Sequence, residues 1–254
     1  MNQDLQKKNQ LISEKNSELA ITNSEKDKFI SILAHDVKSP LSSFIGLTEY
    51  IHENYNSISP ADLKDFTSKM NTSARNLYEL LSNLLDWSRM QRGLITFDPG
   101  VLVLQNLAKV ALDSVIDEAN RKRVDLKTDI SESITVFADF NMLATVLRNL
   151  LSNAVKFTHS GGRVVLSAHK TNDGKTVISV EDNGIGIPGE LINNLFQLNG
   201  GASRKGTDGE PSNGLGLLIC RDFIERHGGR INVESTEGQG TIFRVTIDSE
   251  DKNL

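Results

Sequence analysis

The chain lacks several features on which whole protein classes depend, and the first of these is a pair of cysteines. Cys220 is the only cysteine among 254 residues, so a scaffold held together by internal disulfides is excluded. Because Cys220 lies in an apolar run, we expect a buried thiol in a reducing compartment. No stretch of about 18 apolar residues is present, and the first residues lack the apolar centre of a signal peptide. We therefore expect a cytoplasmic chain without a membrane segment, cut from a parent that could itself be membrane-anchored.

An excess of basic residues is also missing. The chain has 28 Lys and Arg against 33 Asp and Glu, a formal net charge of -5, with the two signs interspersed. Proteins that bind nucleic acids usually carry a basic surface, so we expect no nucleic-acid partner. A hydrophobic content of 38% and a charged content of 24% are typical of a folded protein rather than a disordered one. The length allows two domains, or one domain with an elongated segment.

A sparse heptad pattern occupies the first residues. Leu5, Ile12 and Leu19 recur every seven positions in an otherwise polar stretch. This spacing predicts a short coiled-coil linker over residues 1–24. Because most of the alternate heptad positions are polar, a single solvated helix remains the alternative.

Residues 25–93 are predicted to form a helical hairpin. The second helix is expected to begin where Ser59 and Pro60 resemble an N-cap and a first helical residue, and to end near Met90. One hairpin has too little core alone, so we expect two copies to pair as an antiparallel four-helix bundle. The apolar face of the first helix comprises Phe29, Leu33, Val37, Phe44, Leu47 and Ile51.

Residues 94–254 have a mixed pattern of strands and helices. This pattern predicts an α+β or α/β sandwich, a domain separate from the hairpin. The expected strands are residues 101–104, 124–129, 134–138, 163–169, 176–181, 230–234 and 241–247. The expected helices are residues 107–120, 141–157, 190–195 and 215–227.

One polar stripe stands out on the helix predicted for residues 141–157. Asn149, Asn153 and Lys156 lie at positions i, i+4 and i+7, so they share one face of an otherwise apolar helix. Two amides and an ammonium could hold a hydrated Mg²⁺ and a polyphosphate, since Mg²⁺ takes few protein ligands beside water and substrate oxygens. The spacing alone favours an ordinary solvated face.

Two glycine-containing loops are further candidates. Asp182 follows a predicted strand and precedes Gly184 and Gly186, a loop where backbone can approach a ligand and where a carboxylate can accept from an adenine amine. A plain Asp-Asn-Gly hairpin turn is the alternative. Gly214 and Gly216 open the last predicted helix, whose first N–H groups would suit a phosphate. The segment 199–213 before them, rich in Gly, Ser, Lys and Asp, is a candidate lid.

His35 is a candidate nucleophile on the hairpin. On a helical wheel it falls almost opposite the apolar stripe, so we expect its imidazole to face solvent. A neutral exposed imidazole is a competent nucleophile at pH 7, and Asp36 could orient or deprotonate it. An inert surface histidine is the alternative when this position is considered by itself.

Together and in this order, the motifs resemble those of the sensor histidine kinases. The resemblance extends over nearly the whole chain from about Ser24 onward. Gly238 and Gly240 precede the last strand as in many members. The matching segments are residues 29–41 for the H box, 149–157 for the N box, 182–186 for the G1 box, 195–196 for the F box and 214–217 for the G2 box.

The resemblance implies a protein-histidine kinase with ATP and Mg²⁺ as cofactors. His35 would be the phosphoacceptor with Asp36 as its activating acid, and Asn153 would ligate Mg²⁺. It also implies a homodimer, a response regulator receiver domain as the partner that accepts the phosphoryl group, and an upstream sensor domain in the parent. The other residues carried over by position are Asn149 and Lys156 for phosphates or metal-bound water, Asp182, Gly184 and Gly186 for adenine, Gly214, Leu215 and Gly216 for phosphates, and Arg204 and Lys205 for the γ-phosphate.

Two positions depart from related patterns. Asn149 stands where related gyrase, mismatch-repair and chaperone ATPases have a Glu that activates water, which argues against hydrolysis as the main reaction. Ser39 stands where many members have Thr or Asn for dephosphorylating the partner, so phosphatase activity depends on whether its hydroxyl replaces them. A hydrolytic ATPase and a non-catalytic scaffold remain alternatives. The sequence does not decide whether a subunit phosphorylates itself or its partner.

Overall fold

The computed structural model describes residues 37–91, 96–197, 204–210 and 215–250, with the single residues Gln10, Lys15 and Ala34. The chain divides into two compact units between Leu81 and Ser82. The predicted coiled-coil linker over residues 1–24 lies outside the described residues except for Gln10 and Lys15, so it stays a prediction.

The hairpin is formed by α1, residues 37–54, and α2, Pro60–Gln91. The hydroxyl of Ser59 accepts a hydrogen bond from the backbone N–H of Asp62 at 3.1 Å and donates to its carboxylate at 2.7 Å. This reciprocal pair satisfies an N–H that the helix itself cannot pair. The prediction of Ser59 as N-cap and Pro60 as first helical residue is confirmed.

The hairpin leaves part of its apolar surface in solvent. The rings of Tyr50 and Phe66 pack edge to face with centroids 5.4 Å apart, which joins the two helices near the turn. Leu41, Ile45 and Leu81 are nevertheless more than 39% exposed. Apolar side chains exposed along a hairpin are what a bundle of two copies would bury.

The second unit contains a five-stranded sheet in the order β2-β4-β5-β7-β6 and a separate pair β1-β3. Among the described strands β2 and β4 run parallel, and the other pairs are antiparallel. All seven predicted strands are present. The strands are β1 Gly100–Val103, β2 Asp125–Asp129, β3 Thr135–Ala138, β4 Arg163–Lys170, β5 Lys175–Asp182, β6 Arg230–Thr236 and β7 Gly240–Asp248.

The helices α3, α5 and α7 supply much of the core of this unit. Leu143, Leu147 and Leu150 on α5 are at most 1% exposed, and α5 contacts α3, α7 and the sheet. Alternate residues of β5 from Thr176 to Asp182 face the same side and are buried. The helices are α3 Leu104–Asp113, α4 Ile116–Lys122, α5 Phe140–Phe157, α6 Gly189–Ile192 and α7 Leu215–Arg226.

The prediction of a single helix over residues 107–120 was wrong. The chain forms two helices there, separated at Ser114 and Val115. The Ser114 hydroxyl donates to the carbonyl of Ala111 at 2.6 Å, and the N–H of Val115 bonds back to Leu112 at 3.0 Å. These shorter-range bonds end α3, because a serine hydroxyl competes with the helical ladder. Leu104, predicted to end β1, instead begins α3.

The burial expected for Cys220 is confirmed, because its thiol is fully buried and burial raises its pKa far above the ordinary value. An inert structural thiol follows. Within the described residues, no helix combines the length and apolar character needed to cross a membrane.

Candidate functional site

Three of the sequence-predicted residues lie outside the described residues: His35, Asp36 and Gly214. Ser39 lies exposed on α1. The geometry of the site can therefore be given for the second unit, where the other predicted residues are found.

The polar stripe lies on the last turns of α5. The carboxylate of Asp139 caps this helix by accepting from the N–H of Met142 at 3.0 Å. Asn149 and Asn153 are half-buried and Lys156 is 9% exposed, so the stripe is not the solvated face that its spacing also allowed. The Nζ of Lys156 lies 5.5 Å from the centroid of the Phe157 ring.

The start of α7 lies directly against the stripe. The amide N–H of Asn149 donates to the carbonyl of Thr145 at 2.9 Å. Its Oδ1 faces Gly216, where an added Cβ would stand only 2.8 Å away. A side chain at Gly216 would therefore push against the stripe. The structure thus brings together the predicted amide and the second glycine of the last helix, while Leu215 provides the first residue of α7.

Asp182 ends the buried row of β5 and is 7% exposed. Its Oδ1 accepts a hydrogen bond from the N–H of Gly184 at 2.9 Å. Burial raises the pKa of Asp182 to about 6, although hydrogen bonds from the backbone of Gly184 and Thr241 act in the opposite direction. A buried carboxylate at the end of a strand, beside a glycine loop, can accept from an amine that enters the site.

The loop that follows Asp182 and contains Gly184 and Gly186, the glycine loop, is held on two sides by backbone groups. The N–H of Ile185 donates to the carbonyl of Phe157 at 3.0 Å, and a Cβ on Gly184 would overlap that same oxygen. Gly186 has a φ of +64° and lies against the carbonyl of Thr236. Left-handed backbone in such close contact requires glycine at this position. The plain hairpin-turn alternative is excluded, because Asp182 continues into a pinned loop and β5 pairs with β4 and β7.

Segment 204–210 crosses between the glycine loop and the end of α5. The guanidinium of Arg204 donates to the carbonyl of Gly186 at 3.0 Å. Thr207 donates through its N–H to the carbonyl of Lys156 at 3.1 Å and through its hydroxyl to that of Thr158 at 2.9 Å. Lys205 is exposed. Arg204, Lys156 and the glycine loop therefore belong to one continuous site.

Two charged residues of this site were missed by the sequence analysis. Lys122 donates from Nζ to the carbonyl of Lys156 at 2.6 Å and to the carboxylate of Glu210 at 2.8 Å. Burial works to raise the pKa of Glu210, but the hydrogen bond from Lys122 and backbone N–H groups outweigh it and hold this pKa below its ordinary value. In the sequence Lys122 stands between two arginines at a helix end, a pattern typical of solvated charge, so no signal pointed to it.

The turn after α6 is also tied to α7. The guanidinium of Arg221 donates to the carbonyl of Phe196, the residue predicted for the F box. The ring of Phe196 packs against the hydrophobic core. Arg221 was not singled out from the sequence, because an arginine within a helix carries no signal of such a long-range bond.

The side chains of the site fit a magnesium-bound nucleotide. The half-buried amide of Asn149 lies against Gly216 in the first turn of α7, and a helix N-terminus favours phosphate. Asn153 and Lys156 share its stripe on α5, and the guanidinium of Arg204 binds the glycine loop. Among the described residues, no group of three or more His, Cys, Asp or Glu could hold a metal. An ion held mainly by water and phosphate oxygens, with one amide oxygen from the protein, needs no such group.

Two protein-family models match the chain. The model described as His Kinase A (phospho-acceptor) domain matches residues 25–93. The model described as histidine kinase-, DNA gyrase B- and HSP90-like ATPase matches residues 138–251. The chain is 31% identical over 232 residues to the circadian input-output histidine kinase CikA of Synechococcus elongatus, a match that covers 89% of this chain and 30% of that protein.

Solved structures of histidine kinases share the fold. The histidine kinase AdeS of Acinetobacter baumannii superposes with a TM-score of 0.66 at 19% identity, covering 85% of this chain and 98% of that one. The histidine kinase ThkA, solved in complex with the response regulator protein TrrA, superposes with a TM-score of 0.67 at 22% identity, covering 92% and 64%. At these identities the likeness shows the same helical and α/β architecture. The predicted fold class is confirmed.

Proposed function

We propose that the chain, which belongs to the sensor histidine kinases of two-component systems, is a protein-histidine kinase. It transfers the γ-phosphoryl group of ATP to His35 of its own hairpin. The observation that carries this proposal is the meeting of three segments at the end of α5. There the carbonyls of Lys156, Phe157 and Thr158 accept from segment 204–210 and from the glycine loop. The polar stripe of α5, segment 204–210 and the loop that follows the buried carboxylate of Asp182 are thereby held together.

Each residue of the site then has a role that follows from its chemistry. Asp182 would accept from the adenine amine, and Gly184 and Gly186 would form the adjoining wall. The amides of Asn149 and Asn153 would bind phosphate and Mg²⁺, with Asn153 as the metal ligand. Mg²⁺, when bound, would neutralise charge on the phosphates. The cations for the phosphates would be Lys156, Arg204 and Lys205, and the backbone of Gly214, Leu215 and Gly216 would add N–H donors.

The transfer step needs little covalent chemistry from the protein. An imidazole nitrogen of His35 attacks the γ-phosphorus, the new N–P bond forms as the bond to the ADP oxygen breaks, and ADP leaves. Asp36 accepts or orients the proton on the other ring nitrogen. Positioning of the two reactants supplies most of the rate acceleration, as is general for phosphoryl transfer.

The phosphoryl group would next pass to an aspartate of a separate response regulator. ThkA has been solved in complex with such a protein, and the shared fold supports a similar partner here. The exposed apolar side chains of the hairpin support a homodimer. The chain spans 30% of the length of CikA, so an upstream sensor domain in a longer, membrane-anchored or cytoplasmic parent forms part of the proposal. Ser39, exposed on α1, is the residue through which phosphatase activity would act.

The experiment that tests this function follows label from γ-labelled Mg·ATP into the chain. We expect acid-labile, base-stable label in the wild type and none in His35→Gln. His52→Gln is the matched control, because His52 is an exposed histidine of the hairpin, in α1, and its loss should leave labelling unchanged. Label that persists in His35→Gln would contradict the assignment of the acceptor.

Hydrolysis of ATP is the second candidate, and one observation opposes it. Asn149 supplies an amide that donates to its own helix, and an amide cannot act as a general base toward water. We therefore expect release of free phosphate to be slow compared with protein labelling. Rapid phosphate release that survives His35→Gln would favour the ATPase.

A further inference from the structure

A buried ion pair joins two parts of the second unit that lie far apart in the sequence. The side chain of Lys122 is 2% exposed and that of Glu210 is 20% exposed, and the two charged groups lie 2.8 Å apart. A buried ammonium is costly unless its donors are paired. None of the roles in the proposed function accounts for this costly pair.

The backbone around Lys122 directs its side chain inward. Arg123, the next residue, has a left-handed φ of 58°, and the N–H of Val124 closes the end of α4 by bonding to the carbonyl of Ala119 at 2.8 Å. A left-handed conformation is unfavourable for a side chain larger than glycine or asparagine. This unfavourable conformation at Arg123 ends α4, and the side chain of the preceding residue, Lys122, is buried in the unit.

Glu210 organises the other side of the pair. Its Oε2 accepts from the N–H of Asp208 at 2.9 Å, and its backbone carbonyl accepts from the N–H of Gly206 at 2.8 Å. One residue therefore closes a tight turn and ties that turn to Lys122. Because both carboxylate oxygens are engaged, a change in charge at Glu210 would loosen the turn and the tie together.

The ion pair is joined to the stripe of α5 through the backbone carbonyl of Lys156. The Nζ of Lys122 also donates to the carbonyl of Lys156 at 2.6 Å, and the same carbonyl accepts from the N–H of Thr207. Gly206 lies so close to the stem of Lys156 that an added Cβ would stand 2.7 Å from its Cγ. The ion pair thus presses the turn of segment 204–210 onto Lys156, while Arg204 at its start is bound to Gly186.

We propose that Lys122 and Glu210 are positioning residues for phosphoryl transfer, whose ion pair fixes segment 204–210, and with it Arg204 and Lys205, over Lys156. This inference rests on the proposed kinase function. The ion pair acts through the cations that it positions. Its loss should therefore lower the rate of γ-phosphoryl transfer more than the affinity for ADP. A displacement of about 1 Å at a transferring group is sufficient to cost about a hundredfold in rate.

The test compares Lys122→Met and Glu210→Gln with Lys122→Arg in the full chain. Lys122→Met keeps the stem but loses the charge, and Lys122→Arg keeps charge and donors. Lys127→Met is the matched control, because Lys127 forms an exposed ion pair with Asp125 on β2. The measurements are kcat and KM for label incorporation, the dissociation constant for ADP, and hydrogen exchange at the amides of Thr207 and Asp208.

We expect kcat to fall about tenfold or more in Lys122→Met and Glu210→Gln, with the ADP dissociation constant within about threefold of wild type. Exchange at Thr207 and Asp208 should accelerate, and Lys122→Arg should restore most of the rate. Lys127→Met should match the wild type. Combining Lys122→Met with Glu210→Gln should add little to either single effect, since both remove the same pair.

Three results would overturn the inference. The first is a kcat within about twofold of wild type in a folded variant. The second is a loss of ADP affinity in proportion to kcat, which would mark a role in binding. The third is unchanged exchange at Thr207 and Asp208. If Lys122→Met does not fold, Glu210→Gln carries the test, since Glu210 reaches solvent. An unlabelled wild type would contradict the proposed function, whereas unchanged exchange in the variants of a labelled protein would contradict the role of the ion pair, so the two failures are distinguishable.

Discussion

Two side chains of the second unit have protonation states set by their surroundings. Asp182 is buried at the end of β5, and burial raises its pKa to about 6. His227 lies between two backbone groups, its Nε2 accepting from the N–H of Asp139 at 2.9 Å and its Nδ1 donating to the carbonyl of Phe223 at 2.6 Å. Only a neutral imidazole can make both bonds. The pH response of each residue follows from this geometry.

Asp182 should make nucleotide binding weaken in acid. A carboxyl with a folded-state pKa near 6 becomes protonated below that pH and then offers one acceptor fewer to the adenine amine. We expect the affinity for ADP to fall between pH 7 and pH 5, and Asp182→Asn to bind weakly at every pH. Calorimetric titration across this pH range measures the dissociation constant for ADP in the wild type and in Asp182→Asn. An unchanged wild-type affinity at pH 5 would contradict the assignment.

The same shift affects stability in the opposite sense. The pKa of Asp182 is 3.8 as a reference and about 6 when folded, so the folded state binds the proton more tightly. Its contribution to stability is present below pH 4 and is lost as pH rises through 6, with a cost of roughly 3 kcal/mol at pH 8. Asp182→Asn should therefore exceed the wild type in free energy of unfolding at pH 8, and the gap should close at pH 4. Urea titrations at the two values test this.

His227 should destabilise the unit as pH falls. Burial lowers its pKa, although the bond to Phe223 and the charge of Asp139 act the other way. Because the folded pKa lies below 6.5, this contribution is fully present above pH 6.5 and is lost on acidification toward the lowered pKa. We expect this loss to lower the wild-type free energy of unfolding between pH 7 and pH 5, against the gain that Asp182 contributes over the same range. In His227→Gln this loss of free energy of unfolding should be absent. His169→Gln is the control and should retain the loss, because His169 is exposed on β4.

At the scale of elements, the close approach of α7 to α5 constrains the site. Gly216, the second residue of α7, has room for no side chain beside Asn149. The helix itself would tolerate alanine there, since alanine favours helices by up to about 1 kcal/mol over glycine. The requirement for glycine therefore comes from the neighbouring stripe.

Gly216→Ala should impair nucleotide binding without unfolding the unit. A Cβ 2.8 Å from the Oδ1 of Asn149 must displace that amide or the start of α7. We expect the dissociation constant for an ATP analogue to rise about tenfold or more, with thermal stability unchanged or slightly raised. Gly189→Ala in α6 is the control, because an added Cβ there meets open space. Equal binding by both variants would show that α7 can shift freely.

Much of the element layout could be predicted from the sequence, because apolar periodicity reports burial directly. The stripe on α5, the row on β5 and the cap at Ser59 are local patterns of this kind. The break between α3 and α4 was missed, since a serine hydroxyl that bonds backward gives no periodic signal. Lys122 and Glu210 were missed because an ion pair across 88 positions depends on tertiary folding.

At the scale of the whole molecule, the hairpin exposes apolar side chains that a second copy would bury. In a symmetric dimer each such side chain is buried in both copies. Ile45 on α1 is 45% exposed, and burying an isoleucine contributes about 1.5–3 kcal/mol. The resulting dimer would unite two hairpins and leave one nucleotide site in each copy.

Ile45→Glu should weaken the dimer. Two buried charges replace two buried isoleucines, so the dissociation constant should rise by at least about a hundredfold. Ser43→Glu is the control, because Ser43 is exposed two residues before Ile45, about 200° around the helix and so on another face of α1. Sedimentation velocity over a concentration series measures both. A wild type that remains monomeric at high concentration would contradict the expected four-helix bundle.

The meeting of segments at the end of α5 also bears on which sequence changes the site tolerates. Its acceptors are the carbonyls of three successive residues, Lys156, Phe157 and Thr158, and a carbonyl is present whatever side chain the residue carries. Substitutions there leave the acceptors in place. One residue inserted into the preceding turn would rotate them by about 100° and separate all three from their partners at once. Apart from Asn149, Asn153 and Lys156, the last turns of α5 should therefore vary in residue type among relatives while keeping their length.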